Sequence, residues 1–192
     1  MIRRGETSVP GWLPIMLLLL LFGLPFVIAA WLYYGDSLHP SGRSNHGAVL
    51  DPLVDLQDAV PESQAVRWSE NLWRLIYRND GNCGAECRES LYTLRQSRLM
   101  LGKDMNRLRR VFLHGDSAPD KVFLEQQHQG LEILRDDDLS EVLAASRPRD
   151  LAAGGFFLVD PLGNLVMYFP PDIAPGDMVE DIEHLLDLSR IG

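Results

Sequence analysis

"NLWRLIYRNDGNCGAEC", Asn71 to Cys87, runs from an alternating stretch into a glycine-flanked loop that holds both cysteines of the 192-residue chain. Trp73, Leu75 and Tyr77 alternate with Arg74, Ile76 and Arg78, which is the two-residue period of a strand. The strand ends at the glycines around Cys83. A second period starts at Cys87, since Cys87, Leu91, Leu94 and Leu101 are spaced by four, three and seven and line one face of an amphipathic helix. Cys87 should therefore be shielded, whereas Cys83, in the loop before the helix, should be reachable.

The same two periods alternate downstream. "RVFLH", Arg110 to His114, reads as a second strand. "SAPD", from Ser117, is a capping signal with Pro119 early in the turn, and Gly130 closes the helix that follows. "LEILR" is a third strand, and Asp138 with Glu141 caps a short helix carrying Leu139, Val142 and Leu143. "GFFLVD" and "NLVMYF" are two strands joined by "DPLGN", Asp160 to Asn164, with proline and glycine placed for a tight reversal. A last helix carries a stripe of Met178, Val179, Ile182, Leu185 and Leu186. Alternating strands and helices with a terminal hairpin imply a three-layer α/β domain with a mixed sheet.

Upstream, Trp12 to Tyr34 contains no charged residue, and at a rise of about 1.5 Å per residue it matches a bilayer core of about 30 Å. Arg3 and Arg4 precede this span, while Asp36, Asp51, Asp55 and Asp58 follow it. The positive-inside bias puts the N-terminus in the cytoplasm and the rest outside. A cleaved signal peptide is the alternative, given Val27, Ala29 and Ala30, but the apolar run exceeds the usual h-region. The predicted organisation is a cytoplasmic tail over 1–11, one transmembrane helix over 12–34, a tether with one short helix over 35–63, and an exported domain over 64–192.

The formal charge of −9, about −10 beyond the span, disfavours nucleic acid as a partner, because such binding needs a basic footprint. Lys103, Arg107, Arg109 and Arg110 form the one dense basic cluster, which reads as a solvated helix end rather than an anion site. Asp136 to Asp138 read as a charged helix start rather than a cation site. No nucleotide-binding glycine pattern, HExxH pair or serine elbow is present.

The chemistry therefore rests on the thiols. In an oxidising compartment a close, even pair favours a disulfide, but cross-linking so short a loop stabilises a fold little. A redox-active or metal-carrying pair, a vestigial pair in a scaffold, and an inert disulfide all stay open. Backbone N–H groups at the helix start favour a thiolate; Glu86 opposes this and Arg88 supports it. Thiolates are soft ligands that select Cu(I).

The strand leading into "CGAEC", the late "FFLVDPLGNLVMYF" hairpin and the N-terminal apolar span together resemble the thioredoxin fold. Within it they resemble the Sco-type proteins that assist assembly of the copper centre of cytochrome c oxidase. The resemblance covers roughly residues 72–191. More narrowly, the chain is similar to small single-span proteobacterial proteins found among oxidase assembly genes. It implies a bacterial inner-membrane protein with a periplasmic domain, Cys83 and Cys87 as redox pair or copper ligands, Cu(I) as cargo, and cytochrome c oxidase subunits or assembly factors as partners. The chain departs from the family pattern in having Arg88 where proline follows the second cysteine. Ala152 to Gly155 stand where a histidine provides the third copper ligand. No proline directly precedes that strand, Pro148 being several residues upstream. A substitute ligand would come from His39, His46, His114, His128 or His184, and His114, at a strand end where loops gather, is placed best. The rival function is a non-catalytic scaffold that docks oxidase subunits.

Overall fold

The computed structural model describes residues 11–34, 45–61, 71–80, 82–117 and 120–189, which fall in two compact units. Arg3, Arg4, Asp36, His39 and Pro119 lie outside the described residues.

The first unit holds helix α1, Trp12–Tyr34, with Pro25 inside it and no acid in its first turn or base in its last. Apolar side chains from Ile15 to Val27 are exposed all round it, so it has no packing face of its own. Its side chains are described from Trp12 to Val27 and at Trp31; over the described residues, no helix is long and apolar enough to cross a membrane.

The second unit contains β1 (Ala48–Asp55), α2 (Leu56–Ala59), β2 (Trp73–Asn79), α3 (Ala85–Met100), β3 (Leu108–His114), α4 (Lys121–Gln127), β4 (Leu131–Leu134), α5 (Asp137–Ser146), β5 (Phe156–Val159), β6 (Asn164–Phe169) and α6 (Pro175–Leu188). The sheet order is β1-β6-β5-β2-β3-β4. Strands β2, β3 and β4 run parallel, whereas β5, β6 and β1 join antiparallel, which makes the sheet mixed.

The alternation read in β2 is real, but both of its faces are buried. Trp73, Leu75 and Tyr77 enter one core with Cys87, Leu91 and Leu94 of α3 and Met178, Val179, Ile182 and Leu186 of α6. Ile76 enters a second core on the opposite face, with Leu139 and Leu143 of α5 and Leu56 of α2. Two cores on one sheet are the three layers expected from the alternating periods. Even Arg74 is buried, because β2 is central and helices cover both sides.

Residues 48–55, assigned to the tether with its proline and aspartates, instead form the edge strand β1, paired with β6. Only Leu50 of that strand is fully buried, so no two-residue alternation marks it in the sequence. Its placement comes from elsewhere. The Asp181 carboxylate of α6 accepts from Gly47 N at 2.7 Å and His46 N at 3.2 Å, and Leu56 N donates to Gly163 O of the hairpin turn at 3.1 Å. The short helix expected in the tether is α2.

Two helix starts also differ from expectation. Asp120, rather than Ser117, accepts from Val122 N and Phe123 N, and Asp136, rather than Asp138, accepts from Leu139 N. In each case the carboxylate nearest the first free N–H groups caps them. The basic cluster divides by position. Arg107 caps α6 by donating to Leu186 O and Ser189 O, Lys103 is solvated, and Arg110 is buried inside β3.

The β5–β6 hairpin is fastened at both ends. At its turn the Asp160 carboxylate accepts from Leu162 N and Asn164 N, and Gly163 supplies the positive φ of 95°. At its open end the Tyr168 hydroxyl donates to Ala152 O at 2.5 Å and accepts from Gly155 N at 3.0 Å. A Cβ built on Gly155 would stand 1.9 Å from Phe169 O, so no larger residue fits. Gly155→Ala is accordingly expected to lower the unfolding free energy of the full chain in detergent by about 3 kcal/mol. Gly84→Ala, where a Cβ meets nothing within 4 Å, should cost less than about 1 kcal/mol in the same urea titration.

Candidate functional site

The site grows from the end of β2. Because β2 and β3 pair in parallel with Asn79 opposite His114, both strands leave the sheet at one edge. Gly115 N donates to Asn79 O at 3.0 Å, and a Cβ on Gly115 would come within 2.6 Å of Asp80 O, so the two strand exits are pressed together. Arg78 pairs with Asp80 and donates from Nε to Ser140 Oγ at 2.6 Å, while Ser140 donates to Asp80 at 3.1 Å. The chain thus enters the thiol loop from a fixed point.

Cys83 and Cys87 are joined by a disulfide, with Cα atoms 4.9 Å apart. Cys87 is 2% exposed and belongs to the core beneath α3, whereas Cys83 is half-buried and touches that core from outside. The inequality read from the helical stripe is therefore present in the structure. Gly84 is the N-cap of α3 and offers no side-chain cap, so the first N–H groups of the helix remain available beside the sulfurs. In the reduced state these groups favour a thiolate at the helix start. Arg88, the residue after Cys87, lays its guanidinium 4.6 Å above the Phe123 ring.

The remaining candidates lie at several places. His114 is at the same sheet edge as the disulfide, on the α3-facing side, with its ring 6.1 Å from that of Phe112. Its Nδ1 is 2.8 Å from Gly115 O, a geometry in which Nδ1 donates and Nε2 keeps its lone pair. His46 faces Asp177 and Glu180 of α6, and His184 is on the exposed side of that helix. His128 is buried edge-on against Phe123; burial, then Arg110 and Arg95, push its pKa down. Among the described residues no three His, Cys, Asp or Glu side chains are arranged to hold a metal. Sequence reasoning did not foresee the Tyr168 clasp, which occupies the hairpin start where the resemblance looked for a histidine. The adjacent Gly154 and Gly155 were its only visible sign.

A strand, a thiol loop and a helix on a mixed sheet, followed by a hairpin and a final helix, define a thioredoxin-like domain. Residues 73–189 match the family described as transmembrane-like, thioredoxin-like, C-terminal domain, and the chain belongs to that family. Among solved structures it is similar to yeast Sco1, with 20% identity, a TM-score of 0.50, and coverage of 62% of this chain and 87% of that one. Copper-bound ScoI from Bradyrhizobium japonicum gives 20% identity, a TM-score of 0.48 and coverage of 62% and 88%. The thioredoxin domain of a thiol-disulfide oxidoreductase from Bacteroides vulgatus gives 19%, 0.43, and 60% and 80%. At these identities the likeness is one of fold. No curated protein matches the chain in sequence.

The burial difference sets an order of reaction. In the reduced, folded domain a thiol reagent should modify Cys83 well before Cys87, as read by mass spectrometry of quenched samples. Equal rates, or faster labelling of Cys87, would remove Cys83 as the attacking thiol.

Proposed function

We propose that this protein is a membrane-anchored thiol-disulfide reductant in cytochrome c oxidase biogenesis that keeps the copper-binding cysteines of another protein reduced. The observation that carries the reading is the unequal pair at the head of α3, a half-buried Cys83 bonded to a Cys87 sealed in the core. Such a pair suits a two-step exchange. The Cys83 thiolate attacks one sulfur of a partner disulfide and the other partner sulfur leaves as a thiolate. The Cys87 thiolate then attacks Cys83, which releases the reduced partner and leaves the Cys83–Cys87 disulfide, the oxidised form described above. Regeneration needs an external dithiol donor.

The oxidase as partner comes from the resemblance of "CGAEC" and the "FFLVDPLGNLVMYF" hairpin to the Sco-type proteins. The membrane address rests on α1, whose 23 residues reach about 35 Å at 1.5 Å per residue and carry no charge, with Arg3 and Arg4 before it. On this reading α1 is a single span of a bacterial inner membrane, the N-terminus is cytoplasmic and the domain is periplasmic. A reporter fused after Gly192 should work only if it is one that requires export.

A second reading, in which Cys83 and Cys87 carry Cu(I) to the oxidase as cargo, is favoured by His114, whose Nε2 lone pair is on the side of the sheet that carries the thiols. A docking scaffold is the third, supported by the lack of the family's histidine and proline. One variant separates them. Cys83→Ser with Cys87→Ser should keep the fold, since so short a loop constrains the unfolded chain least. It should abolish disulfide reduction by the purified protein and lower copper in the oxidase of cells grown on limiting copper. Added exogenous dithiol should restore that copper if the protein is a reductant and fail to do so if it is a carrier. Normal oxidase activity in the double variant would leave only the scaffold.

A further inference from the structure

Arg110 is the third residue of β3, between Leu108 and Phe112 on the face covered by α3, and it is 3% exposed. Its Nη2 donates to Gln129 O at 2.6 Å, but among the described residues its Nε and Nη1 have no hydrogen-bond partner. Arg95 and Arg98 of α3 stand beside it. Arg95 Nη1 donates to Gln127 O at 2.8 Å, and Arg98 donates from Nε to Leu108 O at 3.0 Å and from Nη2 to Asn106 Oδ1 at 3.4 Å. Together with Leu99, Gln126, Gln127 and Gln129, the three arginines line a cleft of about 320 Å³. Among the described residues none of the three makes an ion pair. A buried guanidinium without a counter-charge is costly, and two more cations beside it raise that cost. Burial first, then Arg98 and Arg95, lower the Arg110 pKa to about 10.

We propose that this cleft is a binding site for a phosphate dianion, free or as a monoester, with Arg110 as its floor and Arg95 and Arg98 as its wall. The carbonyls of Gln127, the last residue of α4, and of Gln129, in the loop that follows, orient two of the guanidinium groups while leaving N–H edges over for a ligand, and planar forks of this kind match phosphate oxygens. Three uncompensated cations suit a dianion better than a singly charged diester. The site is apart from the thiols. It opens beside the N-terminal half of β3, whereas Cys83 and Cys87 are at the strand's C-terminal end, and Arg95 follows Cys87 by about 12 Å along α3. It therefore stands whether or not the thiol reading holds.

The test is thermal unfolding of the full chain in neutral detergent, in sodium phosphate against sodium chloride at equal ionic strength. Tm should rise saturably with phosphate. Arg95→Gln and Arg98→Gln, at half-exposed positions, should each fold and weaken the response about tenfold, the loss expected for one charge-assisted hydrogen bond. Arg110→Met should abolish the response while leaving Tm in chloride unchanged or higher, because it removes an unpaired buried charge. Glycerol 3-phosphate in the buffer and phosphatidic acid in the micelle present the same group from a soluble and a lipid source, and the stronger response identifies which one the cleft takes. Equal Tm in phosphate and chloride would overturn the site. So would a phosphate response that survives in both Arg95→Gln and Arg98→Gln.

Discussion

Burial of β2 on both faces is the constraint from which the rest of the domain follows. Leu75 and Ile76 are each fully buried, one in either core, so the strand cannot slip or tilt without exposing apolar surface on one side. Tyr77 adds a third restraint, stacking on Phe112 of β3 at 5.7 Å and contacting Phe156 of β5 at 5.6 Å. The strand exit at Asn79 and Asp80 is thereby fixed before any thiol is considered. Cys87 is fixed in turn by the α3 stripe that covers the same core. The disulfide therefore lies between two anchored points and inherits its position from the hydrophobic layers. Breaking it need not move either anchor, which is what a reversible redox pair requires of its scaffold.

Much of this was legible because period and burial coincide. The alternation in "NLWRLIYR", the stripe from Cys87 to Leu101 and the "GFFLVDPLGNLVMYF" hairpin each place apolar residues where the cores need them, so elements and layers could be read directly. Strand β1 could not, since it buries one face weakly at the sheet edge and is held at its start by a carboxylate on α6, 134 and 135 residues from the two N–H groups it accepts from. An edge strand interrupted by proline and flanked by aspartates carries the marks of a loop, because those residues keep an edge from pairing further. Capping failed more narrowly. Asp120 and Asp136 are each within a few residues of a rival acceptor, and only the geometry of the first free N–H groups decides between them.

The candidate site was half visible. Spacing alone put one thiol in the core and the other outside it. The surroundings of the pair were not visible, because they depend on which strand ends meet. His114 comes to the same edge only through the parallel register with Asn79. The clasp of Tyr168 on Ala152 and Gly155 depends on a side chain sixteen residues beyond its acceptor. The backbone at Gly155 also runs so close to Phe169 O that the position admits no side chain, and only the folded hairpin brings those two residues together.

Arginine at position 110 shows where sequence reasoning is weakest. In "RLRRVFLH" a basic residue next to two others reads as solvent-facing, and of the same cluster Lys103 is indeed solvated and Arg107 caps α6. Strand register decides Arg110. Leu108 and Phe112 point into the core under α3, and Arg110, on the same side of β3, must follow them. An arginine carried inward by register needs compensation, and among the described residues only part of it is supplied, by one carbonyl of the loop before β4. Replacing it by leucine would extend an otherwise continuous apolar face at no cost to the fold's pattern. A charge kept at such a position, with two more arginines turned toward it from the neighbouring helix, is therefore better explained by what it binds than by what it stabilises.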